Sequence, residues 1–207
     1  MLTISSQQAA FYTKNGFLEL EEVYSLPECE MLLTEIQQTI QARDTPSLIR
    51  ARDLWRETPL LKKNLLSKKQ TQLVFSLTRK PALRLAFDQW FEPGFSLKAP
   101  EKIEKLFSIQ GLACILFIQL EQTTTVSPLN QLGLFPFPHS PGNVLITKPS
   151  LLINWPPQQA GLYCVGYSLS NAVYVQNLLD PANLSLRKFG YGYGDILRND
   201  THPLITA

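Results

Sequence analysis

Ile109-Gln110-Gly111-Leu112-Ala113-Cys114-Ile115-Leu116-Phe117-Ile118-Gln119-Leu120 is the stretch whose reading decides the fold. It is nearly all apolar and carries isoleucines and a phenylalanine, so it reads as a buried strand or two. Its apolar run, Leu112 to Ile118, has seven residues; a helix that crosses a bilayer needs roughly 20. Downstream, Asn143 to Thr147 follows a Pro-Gly turn and reads as another strand. Leu151-Leu152-Ile153 is a short one, stopped by Trp155-Pro156-Pro157. Tyr163 to Gln176 mixes Tyr and Val with small residues and reads as a long strand.

Upstream the pattern is helical. Ser6 is placed to cap a helix over Gln7–Lys14, and Gly16 to close it. Phe17-Leu18-Glu19-Leu20 alternates like a short strand. Ser25-Leu26-Pro27-Glu28 is a capping box with proline in the first turn. Cys29, Leu32, Leu33, Ile36 and Ile40 then share one face of a helix to about Ala42, which puts Leu33 and Ile36 in the core. Further helices are expected from Thr58-Pro59 to Leu66, from Gln70 to Leu77, from Ala82 to Phe87 and from Leu184 to Phe189. Helices first and strands after is an α+β order, with a sandwich or barrel of strands. The 207 residues read as one domain: a mostly helical flank over 1–90, a strand core over 105–180 and a tail over 181–207.

Composition bounds the function. With 44% hydrophobic and 17% charged residues, wholesale disorder is excluded. The first residues have neither a basic nor an apolar signal-peptide region. Cys29, Cys114 and Cys164 are scattered and odd in number, as suits buried thiols in a reducing cytoplasm with no membrane partner. Net charge is +2 but uneven. Residues 1–42 hold one lysine against six glutamates, and residues 43–84 hold eleven Lys and Arg against three acids. Arg50, Arg52, Arg56, Lys62 and Lys63 form a candidate basic patch for an anionic partner such as nucleic acid. Only Trp55 and Phe75 offer stacking there, and no recognisable nucleic-acid-binding motif accompanies the charge, so this is the less favoured partner.

The run Phe11-Tyr12-Thr13-Lys14-Asn15-Gly16-Phe17-Leu18-Glu19-Leu20, then Val23 to Cys29 and a long helix, resembles the opening of the phytanoyl-CoA dioxygenase family. Pro141 to Ile146, Leu151 to Trp155, and Phe189 to Pro203 resemble that family's later strands and ending. Residues 43–108 match in length and helical character. The resemblance implies a double-stranded β-helix, a cupin-like jelly roll, with flanking N-terminal helices. It also implies an ancestral Fe(II)/2-oxoglutarate oxygenase. Such an enzyme holds iron with a His-x-Asp/Glu and a distant His, and clamps 2-oxoglutarate with a basic side chain.

This sequence departs from that pattern three times. Its two histidines, His139 and His202, are not followed by x-Asp/Glu. Asn154 stands where the distant histidine is expected, and the first ligand pair, due near Gln110, has no histidine before residue 139. No Arg or Lys lies between Lys148 and Arg187, where the clamp belongs. The leading expectation is therefore a degenerate relative that needs neither iron nor 2-oxoglutarate and binds a small ligand or a protein. The enzyme alternative is an active dioxygenase with unusual ligands. Candidate pocket residues are Gln110, Asn154, Trp155, Tyr163 and Tyr167, with Pro156, Pro157 and Tyr174 beside them. His139 reads as part of a proline-rich loop and His202 as a surface or locally bonded residue near the terminus. The cysteines and histidines are too dispersed for a structural zinc site, and Gly190, Gly192 and Gly194 lack dinucleotide spacing.

Overall fold

A computed structural model describes residues 3–44, 51–122, 137–155 and 160–206. In chain order it contains α1 (Ser6–Asn15), β1 (Phe17–Leu20), α2 (Leu26–Gln41), a 3-10 turn (Leu54–Arg56), α3 (Pro59–Leu65), α4 (Lys68–Thr78) and β2 (Ala82–Phe91). Then follow β3 (Glu101–Lys102), β4 (Ile109–Gln119), β5 (Val144–Thr147), β6 (Leu152–Ile153), β7 (Leu162–Tyr174), a 3-10 helix (Ser185–Phe189) and β8 (Leu204–Thr206). Local chemistry accounts for the helix ends. Ser5, one residue before the expected cap, accepts from the Gln8 amide, while the Gln8 side chain accepts from the Ser5 amide. Ser25 and Glu28 form the same reciprocal pair at the start of α2.

Six strands form one antiparallel sheet in the order β1-β5-β4-β7-β2-β8, and β3 pairs with β6 in a second, two-stranded sheet. The expected helix over Ala82–Phe87 is instead the first half of β2. Its Ala, Leu and Arg favour helix locally. Pro81 follows the end of α4, however, and β2 lies between β7 and β8, so sheet pairing outweighs propensity. Nine of its ten residues are buried. A strand covered on both faces shows no alternation, which is why its period misleads. The segment expected to be mainly helical flank thus supplies two strands, β1 and β2, to the main sheet.

The sheet separates two apolar layers. On one side α2, α3 and α4 pack Cys29, Leu32, Ile36, Leu61, Leu65 and Leu73 against Leu85, Leu116, Ile118 and Ile146. Leu33 is only half-buried at the edge of the α2 stripe, a correction to its expected core position. On the other side Phe87, Phe107, Ile115, Phe117, Ile153, Trp155 and Tyr174 form a second layer with the small sheet. Gly142 lets the turn before β5 approach the β1–α2 loop, where its carbonyl accepts from the Tyr24 amide at 3.1 Å. A Cβ there would lie 2.0 Å from the Tyr24 oxygen, so no side chain fits.

Candidate functional site

Alternation along β7 divides the expected pocket. Leu162 and Cys164 face the second layer, whereas Tyr163, Val165 and Tyr167 face the helices. Tyr163 and Tyr167 therefore stand on the opposite face of the sheet from Trp155, and the five pocket candidates do not converge. Tyr167 donates to the Leu65 carbonyl at 2.7 Å, and Tyr163 to Asp88 Oδ2 at 2.6 Å. Gln110 is exposed on β4 opposite Val173. Asn154 is half-buried just after β6, and Trp155 is fully buried. Pro156 and Pro157 lie outside the described residues.

Around Trp155 the second layer is built of rings. Phe91, Phe137, Phe95 and Phe117 lie 4.4, 4.7, 5.0 and 5.5 Å from it, centroid to centroid. These are tilted and edge-on contacts of the kind aromatic quadrupoles favour. The residue after Asn154 is thus packed in a cluster of touching rings. The inward positions of β7 at the expected clamp, Leu162, Cys164 and Gly166, are neutral. Every His, Cys, Asp and Glu of the chain is among the described residues, and no three of them there converge to hold an ion. An open groove of about 750 Å³ runs beside Glu21, Glu22, Tyr24 and Glu28, and none of these rings lines it. Its Glu28 is already paired with Lys69 at 3.0 Å.

The expected basic patch is not one surface. Arg52 is buried: it pairs with Asp180 at 3.0 Å, donates to Gln89 and lies over the rings of Phe87 and Phe107. Asp180 also accepts from the Ser108 and Ala182 amides. Arg56 pairs with Asp53 at 3.3 Å, donates to the Thr201 carbonyl and meets His202 Nε2 at 3.1 Å. Lys62 and Lys63 are exposed on α3, and Arg50 lies outside the described residues. The two described arginines thus tie residues 51–56 to the sheet and the tail. Sequence cannot separate an internal guanidinium from an external one, because its partners, Asp180 and His202, are more than a hundred residues away.

Two buried ionisable groups were not singled out as such from the sequence. Asp88, in β2, is wholly buried; its Oδ2 accepts from Tyr163 and from the Trp55 amide at 3.1 Å. Burial, with help from the nearby Asp53 carboxylate, pushes its pKa up to about 7 against the pull of the Tyr163 hydrogen bond. A lone aspartate among Leu85, Ala86, Phe87, Trp90 and Phe91 was the available signal once the stretch is taken as a strand. His202 is also fully buried, not at the surface. Its Nδ1 lies 3.2 Å from the Tyr191 hydroxyl, and burial, then Arg56 and Arg84, lower its pKa to about 3. It is a neutral hydrogen-bonding group held between arginines, 63 positions along the chain from the other histidine.

No family model matches the chain, and no curated protein matches it. Solved structures do. The non-heme α-ketoglutarate-dependent carbocyclase SnoK from nogalamycin biosynthesis superposes with a TM-score of 0.75 at 15% identity, over 99% of this chain and 97% of that one. SnoN, the epimerase of the same biosynthesis, gives 0.72 at 13% identity, over 96% of each chain. EctD from S. alaskensis, solved with 2-oxoglutarate and 5-hydroxyectoine, gives 0.61 at 15% identity, over 81% of this chain and 77% of its own. The class these comparisons define is one of fold: helices on an antiparallel sheet, as in non-heme iron, 2-oxoglutarate-dependent enzymes.

Proposed function

We propose that this chain is a degenerate relative of the non-heme Fe(II)/2-oxoglutarate oxygenases, in the manner of the phytanoyl-CoA dioxygenase family, and acts by binding a small ligand or a protein. In this reading its two sheets are the halves of a double-stranded β-helix. The observation that carries it is Trp155. It follows Asn154, the position where the resemblance puts a histidine ligand, and it is packed among Phe91, Phe95, Phe117 and Phe137. A single amide beside a cluster of rings is a poor donor set for Fe(II), which favours imidazole together with a carboxylate. The neutral strand β7 supports the same reading, since a dicarboxylate needs a basic partner. Three buried thiols without a disulfide support a cytoplasmic setting.

Anaerobic calorimetry with Fe(II), alone and with 2-oxoglutarate, tests the reading. No saturable heat is expected at micromolar concentrations of either. Stoichiometric micromolar iron binding that Asn154→Ala abolishes would overturn it in favour of an active dioxygenase with unusual ligands.

A further inference from the structure

Residues 177–188 follow β7 as a chain of tight turns. The amides of Asp180, Asn183, Ser185 and Arg187 bond the carbonyls of Asn177, Asp180, Ala182 and Leu184, each three residues back along the chain. Asn177 pins the loop by donating its side-chain amide to the Lys105 and Phe107 carbonyls. Asp180 pins it again through the buried pair with Arg52. These anchors fix which side chains face out. Leu178 is 83% exposed, Leu184 56% and Leu179 54%. The other exposed residues of the loop are Pro181, Arg187 and Lys188. The loop's one acid is the buried Asp180, so its fully exposed side chains are apolar or cationic; Asn177, Asn183 and Ser185 are half-buried, and Lys188 shares a pocket with Asp44 and Glu57.

Single exposed leucines are ordinary, but Leu178, Leu179 and Leu184 are gathered on one anchored loop, which limits the backbone ordering that burying them would cost. We propose that this loop docks on an anionic lipid surface, with Leu178, Leu179 and Leu184 entering the acyl boundary and Arg187 and Lys188 meeting the headgroups. Leucine tips flanked by cations are the composition of an interfacial membrane contact. Protein interfaces depend on other residues: their hot spots favour Trp, Tyr and Arg over Leu, and lysine is depleted there. No described helix is long and apolar enough to cross a membrane, and a loop lying in the headgroup plane needs none. The contact goes beyond the small-ligand or protein partner proposed above and does not depend on it.

Flotation of the full chain with phosphatidylcholine vesicles, with and without phosphatidylserine, tests the contact. The chain is expected to float with the phosphatidylserine vesicles at about 0.1 M salt and to lose at least about tenfold in partitioning to pure phosphatidylcholine. Leu178→Asp with Leu179→Asp, and separately Arg187→Glu with Lys188→Glu, are expected to lose at least about tenfold with an unchanged melting temperature. Equal flotation of these variants and the parent overturns the proposal, because the lipid then meets another face. So does a parent chain that ignores both vesicles yet dimerises in a manner broken by Leu178→Asp, which assigns the patch to a second copy.

Discussion

Asp88 and His202 are both wholly buried, yet water exclusion acts on them in opposite proton senses. Asp88 lies under the helices, receives Tyr163 and the Trp55 amide, and is driven towards its protonated, neutral form. His202 lies against the tail, touches Arg56 and Tyr191, and is driven towards its deprotonated, neutral form. Residues 51–56 touch both: the Asp53 amide donates to the Asp88 carbonyl at 3.0 Å, and Arg56 reaches His202. The difference teaches that exclusion of water favours the neutral form of an acid and of a base alike where no counter-charge pairs with the group, as Arg52 pairs with the buried Asp180.

The harshest way to break this arrangement is Arg52→Ala, which frees the segment shared by both centres and leaves Asp180 buried without its cation. A loss of about 3–5 kcal/mol is expected in urea unfolding. A loss below about 1 kcal/mol would mean that Asp180 can be rehydrated, so that the segment is not clamped.

The pH dependence sharpens the comparison directly. Asp88 holds its proton to about pH 7 when folded and releases it near 3.8 when unfolded, so its contribution is present at low pH and lost as pH rises towards 7. His202 stays neutral down to about pH 3 when folded and charges near 6.5 when unfolded, so its contribution is lost as pH falls through that window. The two slopes oppose each other between pH 4 and 6.5. Asp88→Asn is expected to uncover a rise in stability of roughly 3 kcal/mol across that range, and His202→Gln a fall of similar size. Identical pH profiles for the two variants would show that other groups control the range.

Side chains without a titratable group give smaller tests. Ile36→Ala is expected to cost about 2–3 kcal/mol and the half-buried Leu33→Ala clearly less, both by denaturant midpoint at constant slope. Equal costs would place Leu33 in the core after all. Smallest of all, Lys62→Ala and Lys63→Ala are expected to stay within about 0.5 kcal/mol, because both side chains are exposed and neither forms an ion pair among the described residues.

Much of the architecture was legible in one dimension. The capping box at Ser25, the α2 stripe and strands β4, β5 and β7 follow from local spacing and turn chemistry. Less was legible where both faces of an element are covered, as in β2, since period then carries no sign of strand or helix. The pocket was misjudged for a related reason: Tyr163 and Trp155 are close in type and sequence, but one faces the helices and the other the rings.

By itself the sequence determined the α+β order, the helix starts and the shortage of histidines, all of which rest on neighbours a few positions apart or on composition. Tertiary structure alone decided that Arg52 and Arg56 are internal, that Asp88 and His202 are pushed towards their neutral forms, and that Trp155 is packed among phenylalanines from distant segments. These outcomes depend on dielectric surroundings and on partners far along the chain, and a charge or a ring has no fixed energetic meaning until its surroundings are set.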